Sequence, residues 1–403
     1  MREEKVTVAV LSIMVFLILM GATLLAPVLP FYAKTFGASE FMIGLLISGY
    51  FLARAVFDIP AGVMGDRKGQ KRVMGYGLLL IATSSVLAGL AFNYWLLLAV
   101  RVAEGVGSAM YVTSSLALLA KVAPQQKRGQ YMSYYVAALL AGAVSGPAAG
   151  GYIAIYLGLR APFFFYALVG TIALVLMKAF LPVEVSRGER MSVSVKDVGR
   201  VLRNPSFLLV NLATMSAFFV RGGVNLVIFP LWSAARFGFD PGIIGLLLTV
   251  AALSSIVTMF PSGHLADRYG RKVPFMSSLL LTAAVLPFIF YSDSFSTLTM
   301  MMVMFGLAIG LHGPMAAWAA DLAPPDSMGM TMGLYRTLGD MGWVLGPLVL
   351  SYVSETTGPI ATNVWPFLVA SVWAAFFGLL LIPAKDPASG AGRKVPVLPD
   401  GKG

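Results

Sequence analysis

The chain reads as an all-α integral membrane protein, twelve transmembrane helices in two pseudo-symmetric six-helix bundles, and three observations carry that reading. Of 403 residues, 58% are hydrophobic and 12% charged, with a mean hydropathy of +0.82, whereas soluble domains carry about 25% charged residues. Apolar runs of about 20 residues, long enough to cross a bilayer core as a helix, follow one another along the whole chain. A loop motif at 62–72 returns 201 residues later, so the second half repeats the first. The runs do not alternate polar and apolar at every second residue, which excludes the strands of a membrane barrel.

In order, the spans are expected at 6–29, 41–64, 73–92, 95–120, 131–157, 161–181, 206–232, 241–265, 273–291, 297–320, 328–353 and 361–383. The opening Met-Arg-Glu-Glu-Lys and first run imitate a signal peptide. The run is too long for such a peptide's apolar region and lacks a convincing cleavage site, so it is the first span. The one long polar stretch, 182–205, carries Glu184, Arg187, Glu189, Arg190, Lys196, Asp197, Arg200 and Arg203. It separates a six-span bundle at 1–181 from another at 206–383. The remaining residues, 384–403, are rich in Pro and Gly with scattered Lys and Arg, the composition of a tail without a packed core.

The net charge of +11 is topological rather than a nucleic-acid footprint. With the N-terminus inside, 21 of the 29 Lys/Arg fall in cytoplasmic segments and 3 (Lys34, Arg160, Arg236) outside. This is the positive-inside pattern, and it predicts a multi-pass cell (plasma) membrane protein with both termini cytoplasmic. The chain has no Cys, hence neither a disulfide framework nor a thiol metal site. Without a metal-ligand cluster, nucleophile elbow or phosphate loop, no enzyme activity and no cofactor are expected, and ATP-driven transport is disfavoured. The expected partners are the lipid bilayer and a small-molecule substrate, with the chain a monomer.

The repeat is extensive. Gly62-Val-Met-Gly-Asp66-Arg67-Lys-Gly69-Gln-Lys71-Arg is matched by Gly263-His-Leu-Ala-Asp267-Arg268-Tyr-Gly270-Arg-Lys272. Ile43-Gly44-Leu45-Leu46 is matched by Ile244-Gly245-Leu246-Leu247, and Gly142-x-x-x-Gly146-Pro147 by Gly342-x-x-x-Gly346-Pro347 at an offset of 200. Parallel six-helix repeats belong to a transporter architecture with its substrate site between halves near the midplane.

Ionisable residues inside spans cost about 2.5–3.5 kcal/mol each on insertion scales, which makes them functional candidates. Arg54 and Asp58 are four apart in span 2, Arg101 and Glu104 three apart in span 4, and Arg336 and Asp340 four apart in span 11. Each pair is within reach along one helix face. Arg221 in span 7 has no acid nearby in sequence. The repeat acts as a control. Arg54, Asp58, Arg101 and Glu104 align with Ser255, Met259, Met302 and Phe305, and Arg336 and Asp340 with Val136 and Leu140. The halves share glycines and not charges, so the charges are not demanded by the scaffold. Glu104, Asp58 and Asp340 are therefore the candidate proton-coupling acids, with Arg101, Arg54 and Arg336 as charge partners. For each acid a static salt bridge is the competing reading. Tyr111, Phe218, Phe219, Tyr335 and Trp343 could stack on an amphipathic cation, Arg221 could meet an anionic substrate, and His312 could titrate.

The doubled loop motif resembles the signature of the major facilitator superfamily. Leu97-x-x-x-Arg101-x-x-Glu104-Gly105-x-Gly107 is similar to the family's second motif, and Gly142-x-x-x-Gly146-Pro147-x-x-Gly150-Gly151 resembles its antiporter motif. Pro27-Val28-Leu29-Pro30-Phe31 and Gly342-x-x-x-Gly346-Pro347-Leu348 resemble motifs of the twelve-span drug/proton antiporters. The resemblance covers essentially the whole chain and implies the major facilitator fold, alternating access and multidrug efflux as an antiporter, with a proton gradient as the energy source and protons as a partner. It implies a gating loop of Gly62, Asp66, Arg67, Gly69 and Lys71, with Asp66 meeting Arg128 or the N-terminal end of span 11. It also implies an outer seal in span 5, where the Gly142, Gly146 and Gly150 stripe meets a helix of the other half. The family usually has an amide-type residue where this chain has Glu104. An exporter of a sugar, amino acid or organic anion is the second reading, and a non-transporting receptor the third.

Overall fold

The computed structural model describes residues 2–181, 195–324 and 328–389. The linker charges at 182–194 and the tail beyond 389 lie outside them. All regular structure among the described residues is helical. The long helices are α1 Arg2–Leu24, α2 Glu40–Lys68, α3 Gln70–Gly89, α4 Tyr94–Val122, α5 Arg128–Leu157 and α6 Ala161–Phe180, then α7 Pro205–Phe237, α8 Pro241–Tyr269, α9 Lys272–Phe290, α10 Phe295–Asp321, α11 Met328–Thr357 and α12 Trp365–Leu380. Ten are long and apolar enough to cross a membrane by themselves. The other two depart for visible reasons: α11 carries Arg336, Asp340 and Glu355, and α12 has only 16 residues.

Local chemistry sets the ends. Ser39 caps α2 by accepting the Met42 N–H, and Asn93 caps α4 by accepting the Leu96 N–H. Gly69 and Gly270 sit at φ +92° and +91° between α2 and α3 and between α8 and α9, a conformation that side chains with a Cβ resist. These two glycines make the motif's turns. Gly62 and Gly65 lie inside α2, so Gly69 alone of the glycines at 62–72 makes that turn.

Two compact units emerge, and they cut across the sequence halves: Met1–Ser192 with Phe218–Ala252 and Asp340–Ala370, and Val193–Ala217 with Leu253–Gly339 and Ser371–Gly403. In the first unit α1 packs on α5 and α6, α3 on α4 and α6, and α2 on α4. Gly105 lets α4 lie against α2, since a Cβ there would stand 2.2 Å from the Tyr50 carbonyl oxygen. The second unit packs Phe207 and Val210 of α7, Phe275 and Leu279 of α9, Trp318 of α10 and Tyr335 of α11 into one core. Many large apolar side chains face outward, among them Leu79, Val86, Val175, Val257 and Phe288, as lipid-facing helix surfaces require.

Candidate functional site

The site is built inside the first unit. Arg101 and Glu104 form an ion pair at 2.7 Å, with Arg101 6% and Glu104 1% exposed. The three-residue spacing puts both on one face of α4, and Gly105 presses that stretch onto α2. There the Arg101 guanidinium lies 4.6 Å over the Tyr50 ring. Arg101 Nε and Glu104 Oε2 are buried without a hydrogen-bond partner among the described residues. Buried polar atoms are nearly always paired, so such exceptions call for an explanation.

From Tyr50 an aromatic line leads away. Phe51 meets Tyr50 edge-on at 5.0 Å and stacks on Trp343 at 5.0 Å, while Phe218 stacks on Trp343 at 5.5 Å. The Arg221 guanidinium lies 5.8 Å from the same Trp343 ring and has no acidic partner among the described residues. Arg221 opens a π-helical segment, Arg221–Ile228, and such widened turns are frequent at functional sites. Gly222 makes room there, since a Cβ would come 3.1 Å from the Trp343 ring.

The expected charge pairs are partly redrawn. Arg101 and Glu104 pair as their spacing suggests. Arg54 instead pairs with Asp340 of α11 at 3.8 Å, and Asp58 accepts a hydrogen bond from Thr113 Oγ1 at 3.1 Å. Spacing reports reach along one helix and is blind to the acid that a helix crossing delivers. Arg336 falls in the second unit. Among the aromatic and basic substrate candidates, Phe218, Trp343 and Arg221 come together. Tyr111 is fully buried within the first unit, and Phe219 has its backbone against Gly346. Tyr335 belongs to the core of the second unit, where His312 meets Phe275 edge-on at 5.7 Å. Tyr50 and Phe51 carry no motif and lie in an apolar run, so sequence reasoning missed them.

At the end expected to face outward, two helix crossings repeat one another. Ser48 Oγ of α2 donates to Val344 O of α11 at 2.6 Å, and Thr249 Oγ1 of α8 donates to Val144 O of α5 at 3.2 Å. Gly44 meets the Pro347 carbonyl as Gly245 meets that of Pro147. Pro147 lacks an N–H and disturbs the helix around it. The Thr249 hydroxyl enters that gap, also accepting the Ala148 N–H at 3.1 Å. The halves differ at the rim. Phe41 N–H donates to Glu355 Oε2 at 2.7 Å, whereas Gly242 faces apolar Ile155.

The antiporter glycines are corrected in partner. Gly142, Gly146 and Gly150 pack on Phe16, Met20, Thr23 and Leu24 of α1 in the same half, and only Gly151 meets the second half, at Pro241 and Gly242. A four-residue stripe covers one face of α5, and the next residue, Gly151, points to a different neighbour. In the gating loop, Asp66 accepts from Gln70 Nε2 at 3.0 Å and Arg128 donates to Ala120 O at 3.0 Å. The end of α4 exposes unpaired carbonyls that attract a cation, and Arg128 serves them. Arg67 is exposed at the end of α2. Lys71 Nζ donates to Leu181 O after α6, and Lys272 Nζ to Ile382 O after α12. These partners are 201 residues apart like the lysines themselves, so the motif's lysine ties α3 or α9 to the sixth helix of its half.

The comparisons agree with this architecture. The sequence pattern of the Major Facilitator Superfamily matches residues 11–221 and 210–400. Multidrug resistance protein 2 of Bacillus subtilis (strain 168) is 27% identical over 357 residues, 86% of this chain and 88% of that protein. A bacterial homologue of the human lysosomal transporter Spinster, inward-facing and occupied, superimposes with a TM-score of 0.79 at 17% identity, covering 94% of this chain and 96% of the other. The human organic anion transporter MFSD10 superimposes with a TM-score of 0.69 at 21% identity, covering 94% and 99%. A double match to the family pattern over nearly the whole chain, on twelve helices arranged as a repeat, makes this chain a transporter that belongs to the Major Facilitator Superfamily.

Proposed function

We propose that the protein exports small amphipathic, drug-like compounds in exchange for protons by alternating access, as a monomer in the cell membrane with both termini cytoplasmic. The observation that carries the coupling is the buried Arg101–Glu104 pair, whose Glu104 Oε2 has no hydrogen-bond partner among the described residues. A proton arriving on that oxygen neutralises Glu104 and frees Arg101 from its ion pair. Losing the proton restores the pair, so protonation and local geometry are linked. Tyr50 lies under Arg101 and leads to the Phe51–Trp343–Phe218 stack, where a flat apolar substrate has ring faces to cover. Substrate seated on the stack can thereby sense the state of Arg101. The moving bodies are the bundles 1–181 and 206–383, and the paired α2–α11 and α5–α8 crossings seal the outer end. The name of the B. subtilis relative supports a drug-like substrate.

A second reading, export of an organic anion, is favoured by Arg221, which stands beside Trp343 without an acidic partner among the described residues. One experiment separates them. Purified protein in proteoliposomes is given an imposed pH gradient, with a fluorescent lipophilic cation or an aromatic carboxylate as substrate. Wild type should accumulate the cation in proportion to the gradient, and Glu104→Gln should move it at a rate indifferent to pH. Accumulation of the carboxylate alone, abolished in Arg221→Gln, would select the second reading. Transport by wild type that ignores the gradient would rule out proton coupling.

A further inference from the structure

A groove of about 390 Å³ opens beside the loop motif, at the end of the bundle that carries 66–71, between α3 and α6. Its mouth holds four cations, Lys68, Lys71, Arg72 and Lys178. Lys71 is engaged with the Leu181 carbonyl, while Lys68, Arg72 and Lys178 are exposed and have no acidic partner among the described residues. Asp66, the loop's own acid, is turned to Gln70 and does not line the groove.

Deeper in, the wall becomes apolar. Gly75, Tyr76 and Leu79 continue along α3 below Lys71 and Arg72, and Leu174 and Met177 continue along α6 below Lys178. From residue 72 to 79 the helix descends about 11 Å. Tyr76 and Leu79 are 49% and 51% exposed, so the groove stays open toward the lipid-facing side. Charge and greasiness are thus segregated along the membrane normal, in the order an amphiphile presents them.

A basic ring could serve topology alone, and the repeat tests this. At the 201-residue offset, Lys68, Arg72 and Lys178 correspond to Tyr269, Val273 and Leu379, and only Lys71 keeps a cation, Lys272. Gly75, which leaves the groove its depth, corresponds to Met276. The lysine that ties helices together is common to both halves. The free cations and the glycine beneath them belong to the first half alone.

We propose that this groove binds one anionic phospholipid, with its phosphate among Lys68, Arg72 and Lys178 and its upper acyl carbons against Gly75, Leu79 and Met177. Basic pockets between membrane helices on the cytoplasmic side take anionic headgroups, and each Lys or Arg near the phosphate strengthens binding. Charge complementarity selects an anion, and the apolar wall selects a lipid over free phosphate.

Native mass spectrometry of the full-length protein in detergent tests this, with dioleoyl phosphatidylglycerol, dioleoyl phosphatidylcholine and inorganic phosphate as probes. Wild type should retain phosphatidylglycerol about 100-fold more tightly than phosphatidylcholine. The Lys68→Gln/Arg72→Gln/Lys178→Gln variant should fall to the phosphatidylcholine level, a loss of about 100-fold for three charges. Gly75→Met keeps every charge and fills the groove, and it should weaken phosphatidylglycerol about tenfold or more. A Cβ at this position meets only the flexible end of Met177, and thermal unfolding checks that the variant folds. Equal retention of the two lipids by wild type, or undiminished phosphatidylglycerol binding in both variants, overturns the site. Displacement of phosphatidylglycerol by millimolar inorganic phosphate overturns the lipid as its occupant.

Discussion

At the scale of single residues, the Arg101–Glu104 pair is where stability and the proposed coupling meet. An ion pair buried to this degree pays for desolvation only while both partners are present. Arg101→Leu alone should destabilise the protein by about 3–5 kcal/mol by leaving Glu104 uncompensated, and Arg101→Leu/Glu104→Leu should recover much of that loss. Thermal unfolding in detergent reads both. Equal destabilisation by the single and double variants would show that the two side chains do not act as a unit. The spacing of these residues was visible along α4, because a helix of known pitch converts sequence separation into direction. Arg54 shows the limit of that argument. Its partner is Asp340, 286 positions away, and nothing in the local pattern of α2 announces it.

Elements are held by approach distances that glycines permit. A Cβ on Gly150 would stand 1.9 Å from the Leu24 carbonyl oxygen, so Gly150→Leu should force α1 and α5 apart. Overpacking of this kind costs about 1–3 kcal/mol, seen as a lowered thermal midpoint with little remaining transport. The outer crossings are tested more gently. The chain has no Cys of its own, so Phe41→Cys/Tyr352→Cys reports only on the α2–α11 rim, where those rings lie 6.2 Å apart. This pair should cross-link readily and transport should stop when it does. Ser48→Ala removes the hydroxyl held by Val344 O and should slow cross-linking about two- to tenfold. An unchanged rate would mean that the crossing is held by packing alone. The motif glycines were evident in the sequence, but not their partners: three of the span 5 glycines serve α1 in the same half, and Gly151 serves α8. Spacing defines a stripe, and only the packed neighbours say what lies against it.

For the whole molecule, the distribution of Lys and Arg gives the expected orientation. Single Cys substitutions at Gly158, in an expected external turn, and at Lys127, in an expected cytoplasmic one, should differ when intact cells meet a membrane-impermeant thiol reagent. Gly158→Cys should label and Lys127→Cys should remain protected until the membrane is opened. The reverse pattern would invert the topology and would place the sealed crossings on the cytoplasmic side.

The helices, their number, the repeat and the division between shared scaffold and unshared charge could all be read from the chain. Each depends on hydrophobic length, helical period or internal comparison, and these are one-dimensional properties. The sequence also named Glu104, Arg101, Arg221, Phe218 and Trp343 one by one. That Phe218 and Arg221 gather on Trp343, which stacks on Phe51, that Arg54 chooses Asp340, that Arg128 meets the Ala120 carbonyl, and that Thr249 fills the gap at Pro147 were settled only by tertiary structure. These contacts join residues far apart in the chain, and which of several apolar faces meets which is decided by the joint packing of many helices, which no single segment encodes.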